Sequence, residues 1–129
     1  MNDHSEKDII CSVTQLIDQY HAGVRDFTGT SLSQGDLQGI NLRGADLSYA
    51  DLSEANLHSA HLRGVDLSYA DLERANLQNA DLRGAILIGT NLRLADLSQA
   101  HLHDADYDRT THFPQGFDPV LAGLKLKAE

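Results

Sequence analysis

Two adjacent blocks of the sequence, "LRGADLSYADLSEANLHSAH" (residues 42–61) and "LRGVDLSYADLERANLQNAD" (residues 62–81), carry the same residue at most positions. Each block divides into five-residue units with leucine in the middle. Such units run from residue 25 to 109, and only the first and last have another middle residue, Phe27 and Tyr107. The residue two before the middle is most often alanine, and the one directly before it is mostly Asp, Asn or His. The chain therefore contains a tandem array with periods of five and twenty residues.

A period of five fits neither regular secondary structure. On a helix, successive leucines would be separated by about 140° around the axis, and on a strand they would alternate between the two faces. If the backbone turns a corner every five residues, each unit can direct its middle leucine and its leading alanine inward. The period of twenty then indicates four units per coil, with equivalent residues stacked about 4.8 Å apart.

The tandem A(D/N)LXX units over 25–109 resemble the pentapeptide repeat family. The flanking stretches QLIDQYHAGVRDFTG and YDRTTHFPQGFDPVLAGL are similar to those of its cyanobacterial members. The resemblance implies an all-β solenoid, a right-handed quadrilateral β-helix of about four coils.

Both ends of such a solenoid need caps, because they would otherwise expose unpaired backbone groups and the leucine column. We expect an N-terminal capping helix within residues 1–24, the β-helix at 25–109 and a C-terminal capping segment with a short helix at 110–129. Ser5 and Asp8 are typical of a helix start, Gly23 of its end, and Asp118 with Pro119 of a second start. The apolar residues expected to cover the ends are Ile9, Val13, Leu16, Ile17 and Tyr20, then Phe113, Phe117, Leu121 and Leu124.

Every fourth unit belongs to the same face of the solenoid. Face 1 runs through Phe27, Leu47, Leu67, Leu87 and Tyr107, and its outward residues include Asp26, Asp46, Asp66, Asp106, Asp108, Tyr49 and Tyr69. Face 2 runs through Leu32, Leu52, Leu72 and Leu92 and mixes acidic residues with Arg74 and Arg93. Face 3 runs through Leu37, Leu57, Leu77 and Leu97 and is mostly amides, with Asp36 and Asp96 at its ends. Face 4 runs through Leu42, Leu62, Leu82 and Leu102.

Face 4 is the one electropositive side of an otherwise acidic solenoid. A basic column, Arg43, Arg63, Arg83 and His103, runs beside a second column, Asn41, His61, Asp81 and His101. The arginines could bind a phosphate or a carboxylate of a partner. The alternative is a solvated ladder in which each LRG supplies a corner glycine and a tolerated arginine.

Ile86 and Ile88 form the sharpest break in the repeat, because they occupy outward positions where the preceding coil has Asp66 and Ser68. Leu94, also outward, lies just round the corner, and Tyr49 and Tyr69 extend the same side toward the N-terminus. Two readings stay open. Either the tail with Phe113 and Phe117 folds over this patch, or the patch is an exposed docking surface.

Composition narrows the function classes. The chain has 129 residues, a net charge of -9 and one cysteine, Cys11. The acidic balance disfavours binding to nucleic acid or anionic lipid. No apolar leader or membrane span is evident, so we expect a cytoplasmic protein, and the capped ends favour a monomer.

No catalytic, cofactor or metal site is expected. His61 and His101 lie two rungs apart, about 10 Å, which is too far for two ligands of one zinc ion. No phosphate-binding loop, nucleophile elbow or HExxH motif appears. The function predicted is a scaffold for an unknown protein partner. One alternative is a DNA mimic that binds DNA gyrase, as the family resemblance suggests, although this solenoid is short, about 20 Å. A second alternative is surface metal binding by His101 with Asp81 and His103.

Overall fold

The computed structural model describes residues 10–128, most of which form a solenoid with four faces. Residues twenty apart bridge in parallel through successive coils. At one such step, the Leu47 amide donates to the Asp66 carbonyl (2.8 Å) and the Asp66 amide to the Ala45 carbonyl (3.0 Å). These bonds confirm the predicted twenty-residue stacking.

Each corner is a tight turn with a left-handed residue at the end of the unit. In one turn the Ala50 amide donates to the Leu47 carbonyl (3.1 Å), and Tyr49 between them has φ 63°. Every unit from Gly29 to Asp104 has a positive φ at this position. Glycine adopts such a φ at no steric cost, whereas other residues pay roughly 1 kcal/mol. This explains the glycine of each LRG triplet.

The residue before each middle leucine has a structural task beyond facing solvent. Asp46 Oδ1 accepts hydrogen bonds from the Ser48 amide (2.9 Å) and the Ser48 hydroxyl (2.6 Å). Asn56 accepts in the same way from the His58 amide (3.0 Å). A short acceptor at this position satisfies a backbone donor that no coil bond uses. The sequence preference for Asp and Asn follows from this turn.

The core consists of the middle and leading residues of the units. The middle residues are fully buried from Phe27 to Leu92, and the alanines before them fill the space between faces. Each buried leucine contributes about 1.5 to 3 kcal/mol before chain entropy is subtracted. In the last coil, Leu97 and Tyr107 are only half-buried.

The array changes register where it ends. Asn91 bridges His112, twenty-one residues away, so one extra residue has entered the last coil. Thr111 is buried there, and its hydroxyl donates to the Leu87 carbonyl (2.7 Å).

The N-terminal helix, α1, spans Val13–His21. Ser12 is its N-cap and accepts from the Gln15 amide (3.1 Å). Leu16 is fully buried on the core. Gly23, the residue expected to end the helix, follows just after the last turn with φ 98°.

The predicted helix start needs correction. Ser5, Asp8 and Ile9 lie outside the described residues, and residues 10–12 are not helical. The Ile10 carbonyl instead accepts from the Ser31 amide (2.9 Å), so this segment extends the backbone ladder of face 2.

The C-terminal segment contributes a short strand that pairs with the last coil, rather than the predicted short helix. Strand β1, Asp106–Tyr107, pairs in parallel with β2, Lys125–Leu126. Asp118 Oδ1 does accept from the Val120 amide (3.0 Å), but the turn ends at Gly123, with φ 86°.

Asp118 and Pro119 therefore begin only a single turn of helical backbone. The chain then leaves the helical conformation and pairs, as β2, with β1 in the last coil. Leu124 is buried as expected, whereas Leu121 is 86% exposed and covers nothing. No helix among the described residues is long and apolar enough to span a bilayer.

Candidate functional site

Face 4 carries the predicted basic column. Parallel bridges join Asn41 to His61, His61 to Asp81 and Asp81 to His101. The arginines two positions later, Arg43, Arg63 and Arg83, are therefore held in one column, which His103 continues.

The three arginines have different surroundings. Arg83 binds Asp81 at two points, Nε to Oδ1 (2.9 Å) and Nη2 to Oδ2 (2.7 Å). The hydrogen bond from the Arg83 side chain lowers the pKa of Asp81 to about 2, and the carboxylate raises the pKa of the guanidinium. Arg43 Nε donates to Asn41 Oδ1 (3.3 Å). Of the three arginines, Arg83 therefore has two guanidinium nitrogens that already donate to a carboxylate of the chain itself.

Arg63 has His61 in the position that Asp81 holds beside Arg83. Within residues 10–128 no ion pair reaches Arg63. A shallow depression of about 320 Å³ joins Arg63 and Arg83 to His103 and Asp104. Asp104 Oδ1 also lies 3.5 Å from Lys125 Nζ. The basic column is therefore interleaved with carboxylates.

The tyrosines of face 1 form a stacked pair on one corner. The rings of Tyr49 and Tyr69 lie 5.2 Å apart at 20°, and the residues are 63% and 52% exposed. The Tyr69 ring lies across Gly89, so that a Cβ at this glycine would overlap the ring. The two tyrosines and Gly89 therefore form one corner column.

Ile86 and Ile88 are half-buried on face 1. Ile86 bridges Asp66 in one coil and Asp106 in the next. The Ile88 carbonyl accepts from the Tyr69 amide (2.8 Å). Ile88 thus lies next to the tyrosine corner.

The phenylalanines of the tail pack at the end of the solenoid. Phe113 contacts the ring of Tyr107 edge-on (5.4 Å) and stacks on Phe117 (5.0 Å). Both pack against the buried core. The part of the tail that forms backbone pairs with face 1 is β2, and not the segment that carries the two phenylalanines.

Leu94 lies on the next corner, between faces 2 and 3, apart from the tyrosines. It is 64% exposed with φ 62°. It borders an open groove of about 490 Å³ between residues 94–98 and residues 114–117.

Metal-ligating side chains do not converge in the part of the chain described. No group of three or more His, Cys, Asp or Glu residues between 10 and 128 is placed to hold an ion. Cys11 is exposed.

Similar proteins share this repeat and this fold. The pattern of pentapeptide repeats matches eight copies, over residues 26–64, 41–79 and 75–106. No curated protein sequence matches. The solved pentapeptide repeat protein alr5209 from Nostoc Pcc 7120 is 55% identical, with a TM-score of 0.93, over 94% of this chain and all of its own.

Two further solved structures are more distant. Rfr23 from Cyanothece 51142 is 38% identical with a TM-score of 0.68, over 70% of this chain and 62% of its own. A pentapeptide repeat protein of the Arabidopsis thaliana thylakoid lumen is 36% identical with a TM-score of 0.66, over 67% of this chain and 60% of its own. Together with the twenty-residue ladder, these matches show that the chain belongs to the pentapeptide repeat family, whose members are right-handed quadrilateral β-helices.

Proposed function

We propose that this chain is a non-enzymatic scaffold that binds a protein partner through the tyrosine corner, the surface formed by Tyr49, Tyr69, Asp46 and Asp66. The observation that carries the proposal is the stacked tyrosine pair, more than half exposed to solvent. Tyrosine is enriched at protein interfaces and among the residues that dominate binding energy.

Both tyrosines occupy backbone positions whose left-handed conformation favours glycine. Tyr49 and Tyr69 have φ values of 63° and 61°, which glycine would adopt at lower cost. Gly89, one coil further, leaves the space that the Tyr69 ring occupies. These features support a surface whose aromatic residues serve binding.

The charge of the corner favours a cationic partner. Asp46 and Asp66 each use Oδ1 in their own turns. A partner arginine can lie on a tyrosine ring and pair with the adjacent carboxylate. A contact of an arginine with a tyrosine ring also occurs within residues 10–128, where the Arg25 guanidinium lies 3.7 Å from the Tyr20 ring centre.

Retention of partners on immobilised protein tests this proposal. In a lysate of the source organism, we expect Tyr49→Asn with Tyr69→Asn to lose a protein that the wild type retains. The matched control is Glu54→Asn with Arg74→Asn, which changes exposed left-handed corner residues in the same two coils. If the tyrosine variant retains the same proteins as the control, the tyrosine corner is not the binding surface.

The cytoplasmic location and the monomeric state stay predictions. The basic column of face 4 and the gyrase-binding alternative also stay predictions, and triple substitution of Arg43, Arg63 and Arg83 by alanine is the variant that tests the column.

A further inference from the structure

Within the solenoid, each unit of face 3 is joined to the equivalent unit of the next coil by three backbone hydrogen bonds. The Leu77 amide donates to the Asp96 carbonyl (2.9 Å), and the Asp96 amide donates to the Ala75 carbonyl (3.0 Å). The Asn79 amide donates to the Ser98 carbonyl (3.0 Å). These bonds define the register of a parallel strand on face 3.

In the last coil the same three groups are open. They are the amides of Leu97 and Gln99 and the carbonyl of Ala95, and none has a hydrogen-bond partner among residues 10–128. Leu97 is also only half-buried, whereas Leu77 is fully buried. Both the backbone ladder and the leucine column of face 3 therefore stop without a covering strand.

Faces 1 and 2 of the last coil are paired with the chain that follows, whereas face 4 keeps one of its three bonds, because the Leu102 amide and the Ala100 carbonyl have no backbone partner among residues 10–128. The Leu92 amide of face 2 donates to the His112 carbonyl (2.7 Å). The Asp104 amide of face 4 donates to the Gly123 carbonyl (3.0 Å). Face 1 is covered by β2. An edge strand with unpaired donors and acceptors is a template for another extended chain.

Strand β2 shows which residues suit such an edge. Lys125 is in register with Asp106, and Leu126 is in register with Tyr107. Lys127 Nζ lies 3.6 Å from Asp106 Oδ1. Lys125 Nζ lies instead 3.5 Å from Asp104 Oδ1. On face 3, Asp96 and Leu97 occupy the positions equivalent to Asp106 and Tyr107. An apolar residue followed by a basic one, as in Leu126 and Lys127, therefore complements the open edge.

Space for the apolar side chains is present beside this edge. The open groove of about 490 Å³ is bounded by residues 94–98 on one side and residues 114–117 on the other. Exposed Leu94, half-buried Leu97 and half-buried Phe117 contribute its apolar surface.

We propose that the open edge of face 3 binds an extended basic and apolar peptide segment of another protein by parallel strand addition. An apolar residue of that segment lies in register with Leu97, and a Lys or Arg directly after it pairs with Asp96. The segment accepts from the Leu97 and Gln99 amides and donates to the Ala95 carbonyl. This interface is separate from the tyrosine corner.

Amide hydrogen exchange tests the proposal with the peptide Gly-Leu-Lys-Leu-Lys-Ala, which copies the pattern of β2. At about ten times the dissociation constant, binding should slow exchange of the Leu97 and Gln99 amides about tenfold. The Asp96→Asn variant keeps an acceptor for its turn, as Asn56 and Asn76 do in the same column, and should bind more weakly. Asp36→Asn, at the opposite end of that column, should bind like the wild type.

Three results would overturn the proposal. The first is unchanged exchange at Leu97 and Gln99 with the peptide present at millimolar concentration. The second is equal protection by Gly-Leu-Glu-Leu-Glu-Ala, in which the charges are reversed. The third is protection of these amides without peptide in a concentration-dependent dimer, because a second copy of the chain would then be the occupant.

Discussion

The residue before each middle leucine illustrates how a local polar contact supports the whole coil. Asp46 satisfies the Ser48 amide within the same unit, so replacing Asp46 by alanine removes the acceptor and leaves that amide to water. We expect Asp46→Ala to lower the free energy of unfolding by about 0.5 to 2 kcal/mol, as for the loss of a helix cap. Asp46→Asn retains the acceptor and should change little. Urea denaturation of both variants measures the difference, and equal losses would contradict this role.

Gly89 is expected to be more sensitive than other corner glycines, because a side chain there meets the Tyr69 ring. Gly64→Ala introduces only the positive φ and should cost about 1 kcal/mol, since nothing lies near its Cβ. Gly89→Ala should cost more and should weaken the tyrosine stacking seen by near-ultraviolet circular dichroism. In a Tyr69→Asn background the two costs should become similar. An unchanged difference in that background would show that the ring is not the cause.

The pairing of Asp81 with Arg83 predicts a pH dependence. The folded pKa of Asp81 is about 2 against an ordinary value of 3.8, so the carboxylate stabilises the fold above about pH 4. That stabilisation is lost as the pH falls through 2. In Arg83→Ala, nuclear magnetic resonance titration should show the pKa of Asp81 rising toward 3.8. A pKa that stays near 2 would mean that another group holds the charge.

At the scale of elements, α1 contacts the first coil through one fully buried side chain. Leu16→Ala should lower the free energy of unfolding by about 2 to 5 kcal/mol, because it leaves a cavity between the helix and the core. The exposed neighbour Asp18→Ala serves as the control and should stay within about 0.5 kcal/mol. Equal effects of the two substitutions in thermal or urea unfolding would indicate that α1 does not pack stably on the coil.

The repeat array was predictable from the sequence, and its ends were predictable only in part. Seventeen units repeat the same local choice, so the inward leucines and the stacking of Asp66 on Asp46 follow from periodicity alone. The ends depend on contacts made once. Ile10 extends the ladder instead of beginning a helix, and Lys125–Leu126 pair with face 1 after a single helical turn. Neither event has a periodic signal.

For the candidate site, the sequence predicted which residues face outward on each face, but not the contacts that their side chains make. The tyrosine pair, the outward Ile88 and the basic column follow from the unit register. The differing surroundings of Arg63 and Arg83 follow from His61 replacing Asp81 at the adjacent position. The position of the Tyr69 ring across Gly89 depends on side-chain conformation, which the repeat does not determine.

At the scale of the whole molecule, a narrow solenoid with a net charge of -9 presents different chemistry on each face. The rigid backbone ladder holds these surfaces at fixed spacing, which suits a scaffold that aligns with a partner. We propose that one corner of the solenoid, the tyrosine corner, makes this contact.

Site-specific photocrosslinking in the source organism tests that claim most directly. A benzoylphenylalanine placed at position 49 or 69 should yield the same discrete adduct. The same residue at Asn79, an exposed left-handed corner between faces 3 and 4, should not yield it. An adduct of equal yield from position 79, or none from positions 49 and 69, would contradict the account.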